Sequence, residues 1–262
     1  MFQLFRKTRM WEKLPLKDRY DVVIIGGGVH GLSTAFELAT LGVSNVAVLD
    51  KGYLGGGASA RTTAIIRANY LTPEGIPFFS EGLKLYQDLS QRLDFNLLFS
   101  QIGRLDLGHT DSAMFGLRLR AEFNQILGVN SLIIGPKEIK KLVPSIDLRE
   151  DKVLPIIGAL YHPPGGVIRH DAVVWAYARG ASRLGVELHP FTEVRGITLE
   201  NHRVTGLETD KGFIKANTIV SATAGWSSTI ASMVDLKLPI ITHPLQAMVT
   251  EPLKPFLHKT IS

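Results

Sequence analysis

YDVVIIGGGVHGLSTAFELATLGVSNVAVLD, residues Tyr20–Asp50, decides the fold through the order of its parts. The apolar run Asp21–Ile25 reads as a buried parallel strand. Gly26-x-Gly28-x-x-Gly31 follows, then a helical pattern through Leu41, a second strand over Val46–Leu49, and Asp50 at its end. In such a unit the first glycine permits a tight turn, the second lets a pyrophosphate approach the backbone, and the third lets helix and strand pack closely. The N–H groups that open the helix, among Val29 and His30, attract phosphates. An acid roughly twenty residues beyond the glycines suits a ribose hydroxyl. Asp50 rather than an arginine argues against a 2′-phosphate, so the pattern predicts FAD or NAD in preference to NADP.

Composition bounds the rest. The 262 residues are 45% hydrophobic, enough for one large or two modest cores. The chain has no cysteine, which excludes disulfides, thiolate catalysis and cysteine-ligated metals, and fits a reducing, cytoplasmic setting. Much of the net charge of +5 sits in residues 1–19, read as an N-terminal extension. There Arg6, Lys7, Arg9, Lys13, Lys17 and Arg19 interleave with Phe2, Leu4, Phe5, Met10 and Trp11. A targeting peptide, a membrane-surface helix and an arm docked on a partner subunit compete as readings. The continuous apolar core and cleavage site of a secretory signal are missing, and the arm or a frayed extension is preferred. Elsewhere bases mix with acids as on a solvated surface, without the basic and aromatic patch that binds nucleic acid. No uninterrupted apolar run is long enough to span a bilayer. His109, His162, His189, His202, His243 and His258 lack metal-ligand spacing and read as structural or surface residues, so no metal is expected.

Along the chain, Lys51–Ser59 reads as a flexible glycine-rich loop. Helices are expected from Pro73 to about Asp94, with Phe78, Leu83, Leu85, Tyr86 and Leu89 as its apolar positions, and over Asp111–Leu127, capped by Asp111 or Ser112. Lys137–Leu142 reads as a short helix, and His170–Gly185 as a strong one that stops at its glycine. Strands are expected within Leu97–Gly108 and over Ile157–His162 and Val186–His189. A meander covers Thr192–Leu199, Arg203–Thr209 and Phe213–Lys215, and two further strands are Thr218–Ser221 and Ile240–Thr250. The fold class is therefore α/β: an interrupted Rossmann-type domain, residues 20–70 and 166–238, with an inserted α+β domain, residues 71–165 and 239–262. The sheet begins at Asp21 and resumes near Gly185, an arrangement that looks like two-domain flavoprotein oxidases rather than a nicotinamide dehydrogenase.

The blocks YDVVIIGGGVHGL, YLGGGASARTTAIIRANYL, GGVIRHDAVVWAYARGA, TAGWSSTIA and THPLQAMVTEPLKPFL together resemble the β subunits of heterotetrameric sarcosine oxidases, among the D-amino-acid-oxidase-like FAD enzymes. The likeness runs over essentially the whole chain, and the RHDAVVW block is its most specific part. It implies oxidation of the secondary amine sarcosine at a noncovalent FAD, with electrons passing through a covalent FMN to oxygen. It also implies α, γ and δ partner subunits, the α subunit being the place for tetrahydrofolate and for NAD. His170 matches the histidine that carries the FMN, where the residues alone would give a helix-cap histidine that hydrogen-bonds a backbone carbonyl. Arg67 matches an arginine that receives the substrate carboxylate, where a surface or interdomain salt bridge is the alternative. Arg61, Thr62, Thr63 and Ile65 fall in the loop that wraps the flavin. The chain has Ala58 and Thr62 where family members carry asparagine, which leaves backbone contacts there. Val194 matches a position whose backbone addresses adenine, and is otherwise a core valine. His30 faces the pyrophosphate or caps the turn. Family members continue well past the position of Ser262, so the sequence reads as an N-terminal fragment whose substrate domain is incomplete at the C-terminus. Two other functions stay open: an amine, opine or D-amino-acid dehydrogenase of the same fold, and a non-catalytic remnant.

Overall fold

The computed structural model describes residues 9–262, so the expectations placed on Phe2, Leu4, Phe5, Arg6 and Lys7 lie outside the described residues. In chain order the elements are β1 (Arg19–Ile25), α1 (Val29–Thr40), β2 (Val46–Asp50), β3 (Ile65–Ile66), α2 (Gly75–Arg92), β4 (Arg104–Gly108), α3 (Asp111–Ile126), β5 (Leu132–Ile134) and α4 (Pro136–Leu142). There follow β6 (Gly158–His162), β7 (Gly166–Val167), α5 (His170–Arg183), β8 (Glu187–Pro190), β9 (Val194–Glu200), β10 (Arg203–Thr209), β11 (Gly212–Ser221), α6 (Ser227–Ser232) and β12 (Thr260–Ile261). The chain divides into two units: the described part of Met1–Thr62 with His170–Ala247, and Thr63–Arg169 with Met248–Ser262.

The first unit is built on a six-stranded sheet in the order β8-β2-β1-β11-β10-β9. β8, β2, β1 and β11 run parallel, and β11, β10 and β9 form an antiparallel meander. Phe213–Lys215 and Thr218–Ser221, expected as separate strands, are one strand here. Its first half pairs antiparallel with β10 and the rest parallel with β1, from Arg19↔Lys215 to Ile25↔Ser221. β1 and β2 lie inside the sheet, so their runs are apolar throughout rather than alternating. Val23, Ile25, Ala47 and Leu49 join Leu207 and Ile214 in one core. The described part of the N-terminal extension is tied to this same unit. Leu16 packs on that core, the Glu12 N–H donates to Ser182 Oγ, and the Lys17 ammonium pairs with Glu187 at 2.5 Å.

The second unit holds a four-stranded sheet, β12-β4-β6-β5, and the small antiparallel pair β3-β7. α3 packs on β4, β5 and β6, and α4 packs on β6. Several expectations are corrected here. Ile240–Thr250 forms no strand, because its apolar alternation finds no neighbouring strand among the described residues; only Thr260–Ile261 pairs, parallel to β4. Within Leu97–Gly108 only Arg104–Gly108 is a strand, since Leu98 adopts φ 53° and Ser100 makes a single bridge to Val167. Thr110, not Asp111 or Ser112, caps α3, its Oγ1 accepting from the Ala113 N–H at 3.1 Å. On α2, Leu83 and Leu89 are buried but Phe78 and Leu85 are exposed. Among the described residues no helix is long and apolar enough to cross a membrane.

Candidate functional site

In the first unit the glycines lie where β1 turns into α1. Gly26 has φ +112°, a backbone state that side chains rarely adopt, and its N–H donates to the Leu49 carbonyl. A Cβ at Gly31 would overlap the Gly26 carbonyl oxygen, so this helix start can sit so close to the strand end only with glycine there. Gly28 is the N-cap of α1 and has no side chain to cap it, and the first turn of the helix holds no acid. The opening amides of α1, which include those of Val29, His30 and Gly31, have no partner within the helix. An anion there meets N–H groups and the positive end of the helix dipole, with no acid in the first turn of the helix. The His30 ring is exposed, while its carbonyl accepts from the hydroxyls of Ser33 and Thr34.

Asp50 ends β2 with both carboxylate oxygens anchored. Oδ2 accepts from the Gly27 N–H at 2.7 Å and Oδ1 from the Gly52 N–H at 2.8 Å. Each oxygen keeps acceptor capacity, so a diol could add to these bonds. Val194 begins β9 and its side chain is in the core. The segment before it is brought against Asp50: the Thr192 N–H donates to the Asp50 carbonyl and the Phe191 N–H to that of Gly52.

The loop after β2 is pinned rather than flexible. The Gly55 N–H donates to the Gly27 carbonyl at 2.8 Å, and the Arg61 guanidinium donates to the carbonyls of Gly56 and Gly57. A Cβ at Gly55 would crowd Val174 on α5. This closure brings in Ser59, which the sequence reading passed over. Its Oγ accepts from the Val29 N–H at 3.0 Å and lies 3.1 Å from where a Gly28 Cβ would be. With its lone pair so used, the hydroxyl proton is free to donate to an anion at the same place. Thr62 is exposed at the end of this unit. His170 is the first residue of α5, and its Nδ1 accepts from the Asp171 N–H at 2.7 Å.

In the second unit, Thr63 is exposed and Ile65 lies on β3 opposite Val167. Arg67 follows β3. Its guanidinium carbon lies 4.1 Å from the Tyr70 ring centroid, and Tyr70 stacks on Phe79 at 3.6 Å. Nη1 donates to the Asn69 carbonyl at 3.2 Å and to Asn69 Oδ1 at 3.3 Å. The three residues that follow Arg67 are each held by a buried polar side chain. The Ala68 N–H donates to His162 Nε2 at 3.2 Å, Asn69 Nδ2 to Asp106 Oδ2 at 2.9 Å, and Asn124 Nδ2 to the Tyr70 carbonyl at 2.9 Å. His162 Nδ1 meets the Asn130 carbonyl at 2.7 Å, so Nδ1 carries the proton and Nε2 accepts. Asp106 in turn accepts from Arg104 Nε and Nη2 through Oδ1, and from Arg120 Nη2 through Oδ2.

Two guanidiniums, Arg104 and Arg120, thus share the Asp106 carboxylate, with Arg67 joined to it through Asn69, and the cluster keeps surplus donors: Arg120 Nε is buried without a partner among the described residues. Burial alone would raise the Asp106 carboxyl, but the Arg104 hydrogen bonds and the charges of Arg120 and Arg104 hold it below its usual range. Burial, then the nearby Arg104 charge, lowers Arg67 from its usual range. Burial lowers His162 and keeps it neutral. Such a cluster suits a small anion, because a buried charge is tolerable only when paired.

The profile of the family described as DAO, FAD dependent oxidoreductase, matches residues 21–261. The chain is similar to the sarcosine oxidase subunit beta of an Arthrobacter species, 43% identical over 96% of this chain and 62% of that protein. It is similar to the sarcosine oxidase subunit beta of Rhizobium meliloti, 44% identical over 96% of this chain and 61% of that protein. It thus spans about three fifths of the length of these curated relatives. Among solved structures it is similar to the L-proline dehydrogenase of P. horikoshii, with TM-score 0.79 and 30% identity over 86% of this chain and 58% of that one.

Proposed function

The chain belongs to the DAO family of FAD-dependent oxidoreductases, and from that premise we propose that it serves sarcosine oxidation as the β chain of a multi-subunit oxidase. The observation that carries the reading is Arg67, held on Tyr70 and Asn69 within a cluster richer in guanidiniums than in carboxylates. The names of the relatives supply the substrate and the subunit role. FAD fits the first unit's residues: glycines where a Cβ would crowd the backbone, open helix amides, Ser59 as a donor and Asp50 with acceptor capacity for a ribose. When bound, FAD supplies the hydride acceptor for an amine carbon. In this reading the first unit takes the nucleotide and the second takes the substrate.

Arg67 receives the substrate carboxylate in a two-point bond. The positive surplus around it also favours the neutral form of the substrate amine, the form that can release a hydride. His170 carries a covalent FMN through its imidazole, α, γ and δ subunits complete the assembly, and oxygen is the final acceptor. Tetrahydrofolate, and NAD, belong to the α subunit, and the assembly works in the cytoplasm. The full-length protein with its partners, mixed with sarcosine in the absence of oxygen, should lose its flavin absorbance. Bleaching by another amine and not by sarcosine would overturn the substrate.

A second reading, an amine or amino-acid dehydrogenase that passes electrons to a carrier, is favoured by the likeness to L-proline dehydrogenase. Oxygen uptake with and without an artificial acceptor separates the two. A third, a non-catalytic remnant, predicts a purified full-length protein without the yellow colour of flavin.

A further inference from the structure

We propose that Asp106, acting through the buried amide of Asn69, is the positioning residue that sets how Arg67 presents its guanidinium to a carboxylate. The inference rests on the reading of Arg67 as the carboxylate receiver. A free arginine side chain samples many rotamers, and fixing one costs entropy at each binding event. Here two contacts remove that freedom beforehand. The Tyr70 ring, backed by Phe79, sets the plane of the guanidinium. The two bonds from Nη1 to Asn69 set its rotation within that plane. Among the described residues Nε and Nη2 make no hydrogen bond, and together they form the edge that grips a carboxylate at two points.

The second contact works only if the Asn69 amide is turned the right way. Asn69 is fully buried, and its two ends differ in chemistry: Oδ1 accepts and Nδ2 donates. Asp106 decides between the two orientations. An ionised carboxylate only accepts, so it requires Nδ2 to face it, and Oδ1 then faces Arg67. The reversed amide would set acceptor against acceptor at Asp106 and donor against donor at Arg67. Arg104 and Arg120 complete the device by occupying the remaining acceptor sites of Asp106 and favouring its ionised form. The order of action runs from Arg104 and Arg120 to Asp106, to Asn69, to Arg67, from two elements of the second unit to the segment after β3.

The test uses the full-length holoenzyme and two readouts: isothermal titration with acetate, a carboxylate with no oxidisable amine, and steady-state kinetics with sarcosine. Asp106→Asn keeps the volume but can donate as well as accept, so the Asn69 amide is no longer forced. Asn69→Leu removes the relay at similar volume. Each variant is expected to raise the acetate Kd and the sarcosine KM by about tenfold, with kcat within about twofold. The double variant should be no weaker than either single one, because the two act in series. A merely structural loss would lower yield and melting temperature without separating KM from kcat. Arg67→Lys removes the two-point grip and distinguishes the failures. If it weakens acetate and sarcosine while Asp106→Asn and Asn69→Leu leave both unchanged, the relay is overturned and the Arg67 reading stands. If Arg67→Lys binds both as the wild type does, the Arg67 reading fails and takes the relay with it. Should Asp106→Asn not hold FAD, Asn69→Leu alone decides.

Discussion

Single atoms decide the outcome at Gly31 and His170. A methyl group at Gly31 cannot fit beside the Gly26 carbonyl, so Gly31→Ala must push α1 away from β1. The expected loss is at the upper end of roughly 1–3 kcal/mol for forced overpacking. Acid-extractable FAD should fall with it, and a variant with unchanged urea midpoint and full flavin content would refute this account of the turn. His170→Ala tests a different bond. In the complete assembly it should abolish the flavin fluorescence that stays on the denatured chain, and leave the acid-extractable FAD in place. The histidine also accepts the Asp171 N–H through its Nδ1, so a small stability loss, about 0.5–1.5 kcal/mol, should accompany the loss of that hydrogen bond. Persisting covalent fluorescence in the variant would remove His170 from the proposal.

At the scale of elements, Thr110 shows what capping contributes. Its hydroxyl satisfies one amide at the start of α3, the helix that carries Arg120 and Asn124. Thr110→Ala should cost about 1 kcal/mol, read as a lower urea midpoint at unchanged slope; no change would mean that water serves the amide equally well. Elements with local signals were legible from the residues. β1, α1 and β2 carry an apolar run, a glycine spacing and a helical period within one short stretch, and Gly185, at φ +89°, stops the helix as its type suggests. What escaped lies in pairings that no local pattern records. Ser59 meets Val29 across 30 residues, Asn69 meets Asp106 across 37, and Ala68 meets His162 across 94. Each is an ordinary polar residue until the fold brings its partner. Ile240–Thr250 failed for the complementary reason, since strand propensity forms no strand without a neighbour to pair with.

Over the whole molecule, buried ionisable groups tie stability to pH. Burial lowers His162 and His189 from their usual 6.5, so the folded chain takes up their protons less readily than the unfolded one. Asp106, Arg67 and Arg104 face His162, while Glu187, Lys211 and Lys17 surround His189. The histidine contribution is complete above pH 6.5 and is lost as pH falls through the lowered values. Burial opposes the ionised forms of Asp106 and Glu187, but their cationic and hydrogen-bonding partners win and lower both. Their contribution is held above the usual 3.8 and 4.5, and disappears in stronger acid. Burial raises the Tyr20 hydroxyl, so its contribution is present below the usual 10.0 and is lost only as pH rises beyond that. The urea midpoint should therefore drop between about pH 7.5 and about pH 5, and again below about pH 4; a midpoint flat across the first interval would refute the histidine assignment. One further consequence belongs to the ribosome. β1 is made well before its partner β11, which ends at Ser221, after the whole of Thr63–Arg169 has been synthesised. At roughly 5–20 residues per second the wait lasts on the order of 10–40 s. Protease applied to stalled nascent chains should cut within Tyr20–Ile25 until β11 has emerged, and early protection would show that another strand stands in. Until then a nascent apolar strand with an open edge is a natural client for a chaperone, and the rate of translation through the intervening segment sets how long that dependence lasts.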